Sequence, residues 1–369
     1  MVTANALRFN IIYTPGTVKY LLLFTLSLLR HSSDCTFRIL ANGCTLSEVR
    51  QLTAFCASST RLEFANLGPR LLPHASVLNQ LYQQEDGDYF CFMDSDIFAT
   101  GDFLPDFLAA LDEHVAVFSS IPIWQTAEAA TASADVQKLG GRYFQTADGF
   151  QLGVSYFGIY DNRVLNAFTQ RTGVDFERCA WVREGYYRKT PWGEVPEQYK
   201  PVLAAAGLQK QHYDTTKLLN ILLQLEAQQR IAYLPVETLQ HIGGIASNIK
   251  AGNPAVEQAH TPEQMIKQET CGYVLRVLDA LFEQRDPPPM PAMNHPVIEA
   301  RLHELTDTLV ELYETNRTLI NDVLRATSMQ VLVPMYVGQQ LDARYRSLKN
   351  AIRDGRWLLT RAYKRVKPG

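Results

Sequence analysis

The sequence predicts an α/β protein with a mostly parallel sheet, helices on both faces of that sheet, and a C-terminal helical appendage. Short β-favouring apolar runs alternate with amphipathic helical runs over the first hundred residues, at the spacing of β-α units. A proline-rich stretch at 286–296 then interrupts any helix and separates the appendage. The 369 residues are 46% hydrophobic and 20% charged, which suits one large domain with an added segment.

The predicted elements follow each other in order along the chain. The strands of the first half are 9–13, 37–40, 62–65, 88–93 and 115–118, and the helices are 17–30, 46–56, 74–83 and 104–112. A polar loop is predicted up to 149, a buried strand at 149–159, a loop-rich region at 160–211, a helix at 215–228 and a strand at 231–234. Because ligands of parallel sheets bind beyond the carboxyl ends of the strands, we expect the site there.

The appendage carries a heptad seam with Asn316 at an a position, and this pattern leaves two interpretations open. The seam comprises Ile298, Leu302, Leu305, Leu309, Leu312, Asn316, Leu319 and Val323. Either it packs on the first domain, or it forms a homodimer through 298–323.

The last thirty residues are strongly basic. Residues 340–369 hold nine Lys and Arg against two Asp, a net charge of +7 that leaves −10 for the rest. Residues 341–366 either lie on an anionic membrane surface or form a solvated terminal helix.

The composition and patterning of the chain argue against several classes of protein. A net charge of −3 gives no reason to expect nucleic acid as a partner. The six cysteines are scattered without a C-x-x-C pair, which favours reduced thiols. No signal peptide is recognisable, and the apolar run 20–29 is about half the ~20 residues that span a bilayer. We therefore expect a cytoplasmic protein, either free or peripheral at the inner face of the membrane.

Two carboxylates follow the fourth predicted strand directly. The strand ends in Phe92-Met93, and Asp94-Ser95-Asp96 come next. Burying such groups without partners costs about 2–7 kcal/mol even for a neutral polar group, so the acids either emerge at the sheet edge or share a cation. Mg²⁺ and Mn²⁺ prefer oxygen ligands together with substrate phosphates. The pair thus predicts a divalent ion that clamps a diphosphate.

This block resembles the D-x-D motif of GT-A fold glycosyltransferases. The likeness is greatest to the family 8 type, because Asp94-Ser95-Asp96-Ile97-Phe98 is followed by Gly101-Asp102-Phe103. The resemblance implies a Rossmann-like GT-A domain at 1–285, with a donor half at about 1–150 and an acceptor half at about 151–250, a linker at 286–296 and an appendage at 297–369. It also implies a nucleotide-diphosphate sugar donor, with a UDP-sugar favoured, a saccharide-type acceptor, and Mn²⁺ or Mg²⁺.

The same resemblance implies further site residues. His241-Ile242-Gly243-Gly244 is similar to the H-x-x-G turn, so His241 would be the third metal ligand and Gly244 would contact the donor. Residues 74–79 are similar to the H-A-T-Y-x-R segment, with Asn79 in place of arginine. Residues 150–154 are similar to the F-N-x-G-V strand, with Gln151 offered to the sugar. The lysine and tryptophan that often follow the histidine turn are absent from their usual positions.

Other candidates have competing interpretations. Tyr13 and Thr14 end the first strand, where base and ribose would bind, although Tyr13 could equally serve packing. Asp214 is either an N-cap or the general base of an inverting reaction. The aromatic loop 181–192 either stacks on the acceptor or forms a local cluster.

Two other classes of function remain open. A haloacid dehalogenase-type phosphohydrolase also places D-x-D after a buried strand, but it needs Thr or Val where Phe98 stands. A non-catalytic sugar-binding scaffold with the same fold would explain the departures at Asn79, Thr216 and Ser247.

Overall fold

A seven-stranded sheet forms the centre of the structure, a computed structural model that describes residues 3–119, 122–124, 150, 153–182, 192–246, 249, 262–293 and 295–326. The strands of the fold are β1 (Arg8–Tyr13), β2 (Thr36–Ala41), β3 (Leu62–Asn66), β4 (Tyr89–Asp94), β5 (Ile97–Ala99), β6 (Ala116–Ser119), β7 (Phe157–Asp161), β8 (Cys179–Ala180), β9 (Gly193–Glu194), β10 (His212–Tyr213), β11 (Ile231–Leu234) and β12 (Leu239–His241). The helices are α1 (Val18–Arg30), α2 (Leu46–Cys56), α3 (His74–Gln83), α4 (Leu104–Leu111), α5 (Asn162–Thr172), α6 (Lys200–Ala205), α7 (Lys217–Leu225), α8 (Pro262–Phe282), α9 (Pro296–Thr315) and α10 (Arg317–Arg325).

The central sheet is mostly parallel, as predicted. Its strand order is β11-β6-β7-β4-β1-β2-β3, and β7 runs antiparallel to its neighbours β4 and β6. Consecutive residues of β1, β4 and β6 are buried, so both faces of the sheet are covered by other elements. The predicted α/β architecture is therefore confirmed.

The order of the strands determines where a ligand can bind. From β1 the chain adds β2 and β3 on one side, and then β4 on the other side of β1. The connections thus diverge between β1 and β4, and this divergence leaves a crevice at the carboxyl ends of the strands. Asp94 ends β4 beside Ile12 of β1, so the acids lie at this switch point.

Three helices were not predicted, and one of them is the short helix α6, which lies with α5 in the region predicted to be loop-rich. Helix α5 falls in the region read as loop, although Asp161 caps it by accepting from Val164 N–H and Gly173 ends it in the left-handed conformation. Helix α8 lies in a part of the chain for which the sequence predicted no helix or strand. The predicted strand at 149–159 is also displaced: β7 begins at Phe157, and Gly153, with φ +67°, cannot continue a strand.

The heptad seam packs inside this chain. Ile298, Leu302, Leu305 and Leu309 of α9 are buried and belong to one core together with the strands of the sheet. The seam is also interrupted, because Asn316 ends α9 and its side chain donates to Leu312 O at 2.9 Å. A homodimer through the seam at 298–323 is therefore wrong as an expectation, since the chain itself covers that face.

The domain boundaries at 285, 286–296 and 297 remain predictions. The basic stretch 341–366 lies outside the described residues. Within the described ranges, no helix has the length and apolar character needed to cross a bilayer.

Candidate functional site

A cleft of about 320 Å³ opens at the switch point. It lies against the carboxyl ends of β1, β2 and β4. Its lining comprises Ile12, Thr14, Leu21, Asn42, Leu71, Leu72, His74, Asp94, Ser95, Asp96, Gly244 and Ala246. Five of the predicted site residues are thus brought to one surface.

Pairing between two short strands assembles the acidic end of the cleft. Strand β5 starts one residue after Asp96 and pairs antiparallel with β12, so that Ile97 lies opposite His241. His241 Nε2 consequently lies 3.1 Å from Asp96 Oδ1 and 3.6 Å from Asp94 Oδ2. Asp96 is fixed further by Ile245 N–H, which donates to its Oδ2 at 3.4 Å.

The imidazole of His241 is held in place by its neighbours. Tyr156 stacks on it with ring centroids 4.0 Å apart and an interplanar angle of 18°. The carbonyl of Tyr156 accepts from Asp94 N–H at 2.7 Å, so this residue supports two of the three candidate ligands. Among the described residues, His241 Nδ1 is buried and has no hydrogen-bond partner, whereas Nε2 faces the carboxylates.

The three side chains fit a divalent cation. One ligand atom from each of Asp94, Asp96 and His241 lies within 4.8 Å of the others. A Mn²⁺ or Mg²⁺ ion with ligands at about 2.1 Å holds neighbouring ligand atoms about 3.0 Å apart, close to the two nitrogen-oxygen separations seen here. Carboxylate oxygens and an imidazole nitrogen are suitable donors for Mn²⁺.

The two carboxylates have opposite pKa shifts. Burial, together with the neighbouring Asp96 charge, raises the pKa of Asp94 against the opposing effect of His74. Burial also acts to raise the pKa of Asp96, but the charge and hydrogen bond of His241 outweigh it and lower that pKa. The pair therefore carries its negative charge first on Asp96, and a cation would favour ionisation of both.

A cation near the acids was missed by sequence reasoning. Lys267 of α8 acts to lower the pKa of both Asp94 and Asp96, after the larger effects given above. Its Nζ lies 5.2 Å from the ring centroid of Trp124, and both side chains border Gly243. Lys267 is 26 residues beyond His241 in an unpredicted helix, so no local signal connected it with the site.

Two further cleft residues were not predicted. His74 Nε2 lies 3.8 Å from Asp94 Oδ1, whereas the distance given above for His241 is to the other oxygen, Oδ2. Asn42 is buried and exchanges two hydrogen bonds with the backbone of Leu72, at 2.9 and 3.0 Å. The turn after β2 thereby holds the segment that forms the outer wall of the cleft.

Among the predicted donor contacts, Thr14, Ser95 and Gly244 line the cleft, whereas Tyr13 does not. Thr14 Oγ1 is buried and has no hydrogen-bond partner in the described part of the chain, so it could bond to a ligand. The Tyr13 ring is fully buried, and its hydroxyl donates to Leu21 O. The interpretation of the Tyr13 side chain as a base or ribose contact is therefore wrong, since it packs in the core.

Asn79 and Asp214 do not line the described cleft. Asn79 Oδ1 accepts from Phe176 N–H at 3.1 Å, so its amide joins α3 to the segment that follows α5. Asp214 Oδ1 accepts from Thr215 N–H at 2.9 Å, at the turn before α7. Gln151 lies outside the described residues.

Most of the predicted acceptor loop, 181–192, also lies outside the described residues. Trp192 packs locally, with its ring 4.9 Å from the Arg178 guanidinium and 5.3 Å from the His212 ring. The local-cluster interpretation therefore applies to Trp192, and the residues from 183 to 191 are not described.

Comparisons with known proteins give weak likenesses. No family model matches the chain, and no curated protein matches it either. The galactosyltransferase LgtC in complex with donor and acceptor sugar analogs is 12% identical over 85% of this chain and 100% of that chain, with a TM-score of 0.36. TarS of S. aureus in complex with UDP is 13% identical over 85% of this chain and 92% of that chain, with a TM-score of 0.39. The mannosyltransferase PcManGT from Pyrobaculum calidifontis, in complex with GDP-Man and Mn²⁺, is 12% identical over 93% of this chain and 83% of that chain, with a TM-score of 0.37. At these values the comparisons do not assign the chain to a family.

Proposed function

We propose that the protein is a metal-dependent glycosyltransferase of the GT-A type, most similar to family 8, that moves a sugar from a nucleotide diphosphate to an acceptor hydroxyl. One observation carries this proposal: Asp94, Asp96 and His241 converge at the strand switch point, beside a cleft of about 320 Å³. An acidic metal site at that crevice is suited to a nucleotide diphosphate, whose charge requires a counter-ion.

Different residues of the cleft would bind different parts of the donor. Asp94, Asp96 and His241 would hold Mn²⁺ or Mg²⁺, which neutralises the charge on the departing diphosphate. Lys267 adds a second positive charge beside these acids, and so favours the diphosphate over a neutral ligand. The backbone of Gly243 and Gly244 has positive φ, and without side chains it can approach phosphate oxygens closely.

The finer assignments remain proposals of the same kind. We expect a UDP-sugar as the donor and a saccharide-type acceptor. Thr14, whose buried hydroxyl has no partner among the residues that the structure describes, is the candidate contact for the nucleoside. Gln151 would face the sugar, and Asp214 would serve as base if the reaction inverts the anomeric centre.

We further propose that the protein is cytoplasmic and touches the inner face of the membrane through 341–366. The net charge of +7 within 340–369 supports this, since each cation near an anionic surface contributes about 1 kcal/mol. Deleting 340–369 should lower sedimentation with anionic vesicles and leave sedimentation with neutral vesicles unchanged. Equal sedimentation of both forms with anionic vesicles would reject the membrane contact.

A phosphohydrolase of the haloacid dehalogenase type is less well supported. Its first aspartate acts as a nucleophile and needs further carboxylates for the metal. In the described part of the chain, the metal-capable group contains two acids and a histidine and no further carboxylate. Phe98 is also fully buried where that family requires Thr or Val.

Nucleotide release tests the proposal. The full chain is incubated with UDP-, GDP- and dTDP-sugars in the presence of Mn²⁺ or EDTA, and free nucleotide is measured. We expect release from one class of donor, and its loss in EDTA. If none of the donors releases nucleotide, and adding nucleotide with Mn²⁺ causes no thermal shift, the proposal is contradicted and the non-catalytic scaffold is favoured.

A further inference from the structure

The indole N–H of Trp124 is a buried hydrogen-bond donor beside the candidate metal site. Trp124 is 7% exposed, and its Nε1 has no hydrogen-bond partner within the part of the chain that the structure describes. A tryptophan nitrogen can only donate, and a buried donor without an acceptor destabilises the protein. A ligand oxygen bound next to the indole would remove this cost.

Backbone contacts hold Trp124 next to His241. Ile123 N–H donates to His241 O at 3.0 Å, and Pro122 forms an isolated β-bridge with the same histidine. Trp124 therefore follows a segment that is bonded to the backbone of a candidate metal ligand, and the position of the indole relative to that ligand is fixed by these bonds.

A lysine from a distant helix reaches the same place. A Cβ at Gly243 would lie 3.5 Å from Trp124 Nε1 and 3.5 Å from Lys267 Cε. The same point is 3.3 Å from His241 Cε1. Lys267 Nζ is one bond beyond Cε and lies 5.2 Å from the ring centroid of Trp124. Because Gly243 has no side chain, an indole N–H, an ammonium group and the edge of the imidazole border one space.

The charges and donors around this space favour an anion. Two ionised carboxylates balance the charge of a divalent ion, so the ion and the two aspartates together have no excess positive charge for a ligand. Lys267 supplies such an excess. An ammonium group and an indole N–H both donate and neither accepts, so they suit the unprotonated oxygens of a phosphate better than a hydroxyl group.

We propose that Trp124 and Lys267 bind the terminal phosphate of a nucleoside diphosphate, through oxygens that the metal ion leaves free. The inference rests on the proposed function for the nucleoside and the sugar. It adds the two residues that would distinguish a diphosphate from a monophosphate, and it assigns a partner to the buried indole N–H.

Calorimetry in Mn²⁺ with UDP, UMP and inorganic pyrophosphate tests this assignment. The variants are Trp124→Phe, which removes the N–H and keeps an aromatic ring, and Lys267→Met, which removes the charge and keeps an unbranched side chain. One control is Trp192→Phe, at a ring that packs against the Arg178 guanidinium. The other is Lys19→Met, at a lysine whose side chain is 41% exposed. Circular dichroism checks that each variant folds.

We expect the wild type and both controls to prefer UDP to UMP at least tenfold. Lys267→Met should reduce this preference to less than threefold, and Trp124→Phe should lower it at least threefold. The affinity for UMP should change less than twofold in both variants, because UMP has no terminal phosphate. If Trp124→Phe does not fold, Lys267→Met decides the question alone.

Three results would overturn the proposal: no preference for UDP in the wild type, a preference that Lys267→Met leaves unchanged, or an equal loss of UDP and UMP affinity in the variants. Pyrophosphate separates this inference from the proposed function. If the wild type binds pyrophosphate but no nucleotide, and Lys267→Met weakens the binding of pyrophosphate, the proposed function fails and the phosphate site stands.

Discussion

Gly153 is a residue at which two separate features of the structure require glycine. It has φ +67°, a conformation that costs a residue with a Cβ about 1–2 kcal/mol. A Cβ at this position would also collide with the Asn220 amide, which is fixed by Tyr160 Oη at 2.9 Å. Backbone conformation and lack of space thus both require glycine here.

Gly153→Ala should destabilise the protein more than Gly173→Ala does. Both glycines have φ +67°, but no atom of the described residues lies within 4 Å of a Cβ at Gly173. We expect Gly173→Ala to cost about 1–2 kcal/mol from backbone strain, and Gly153→Ala to cost about 1–3 kcal/mol more from overpacking. Urea unfolding followed by circular dichroism measures both, and equal costs would show that Asn220 moves away freely.

At the scale of elements, pairing of β5 with β12 assembles the candidate metal site. The two strands have three residues each, and they bring positions 96 and 241 together across 145 residues of sequence. Register is important here, because a slip of one residue would turn His241 away from the acids.

Helix α7 gives the protein a specific pH dependence. Burial lowers the pKa of Lys217 from its ordinary value of 10.5 to about 7 in the folded state. Between these two values the unfolded chain binds the proton and the folded chain does not, so the free energy of unfolding rises with pH. Lys217→Met removes this contribution.

Between pH 7 and 9, the wild type should therefore gain up to about 1.4 kcal/mol per pH unit relative to Lys217→Met. Lys210 and Asp214 face the same group and are unchanged in both proteins, so the difference between the two curves reports on Lys217. Lys19→Met, at a lysine whose side chain is 41% exposed, should follow the wild-type curve. Parallel curves for the wild type and Lys217→Met would contradict the assignment.

Some features of the fold and of the candidate site could be predicted from the sequence, and others could not. The acids at 94 and 96 were predictable, since the buried run that ends there is a local signal. Helix α5 was missed although Asp161 and Gly173 mark its ends, because its polar interior resembled a loop. The position of Lys267 near these acids depends on contacts between distant segments, which no spacing along the chain encodes.

At the scale of the whole molecule, the appendage shares the core of the sheet domain. Leu305 of α9 is fully buried in the same core that contains β1, and Arg30 of α1 pairs with Glu311 of α9 at 2.8 Å. The proline-rich segment therefore connects two parts whose packing is continuous. The seam that resembled a dimer interface stabilises the fold instead.

Leu305→Ala should destabilise the entire protein and not the appendage alone. Loss of a buried leucine costs about 2–5 kcal/mol. The control is Val297→Ala on the same helix, whose side chain is 46% exposed and whose loss should cost under about 0.5 kcal/mol. Tryptophan fluorescence and helical circular dichroism should report one shared transition for Leu305→Ala. An earlier transition seen only in the helical signal would mean that the appendage folds independently.

Affinity for UDP with and without Mn²⁺ tests the central claim most directly. Calorimetry on the wild type should show UDP binding that weakens at least tenfold in EDTA, and Asp96→Asn should bind UDP as weakly in Mn²⁺ as the wild type does in EDTA. Asp102→Asn is the matched control, because Asp102 is exposed and accepts from Leu104 N–H at the start of α4, as asparagine also can. It should bind UDP like the wild type. If Asp96→Asn keeps the full Mn²⁺-dependent affinity, a metal held by Asp94, Asp96 and His241 does not bind the nucleotide, and the proposed function is wrong.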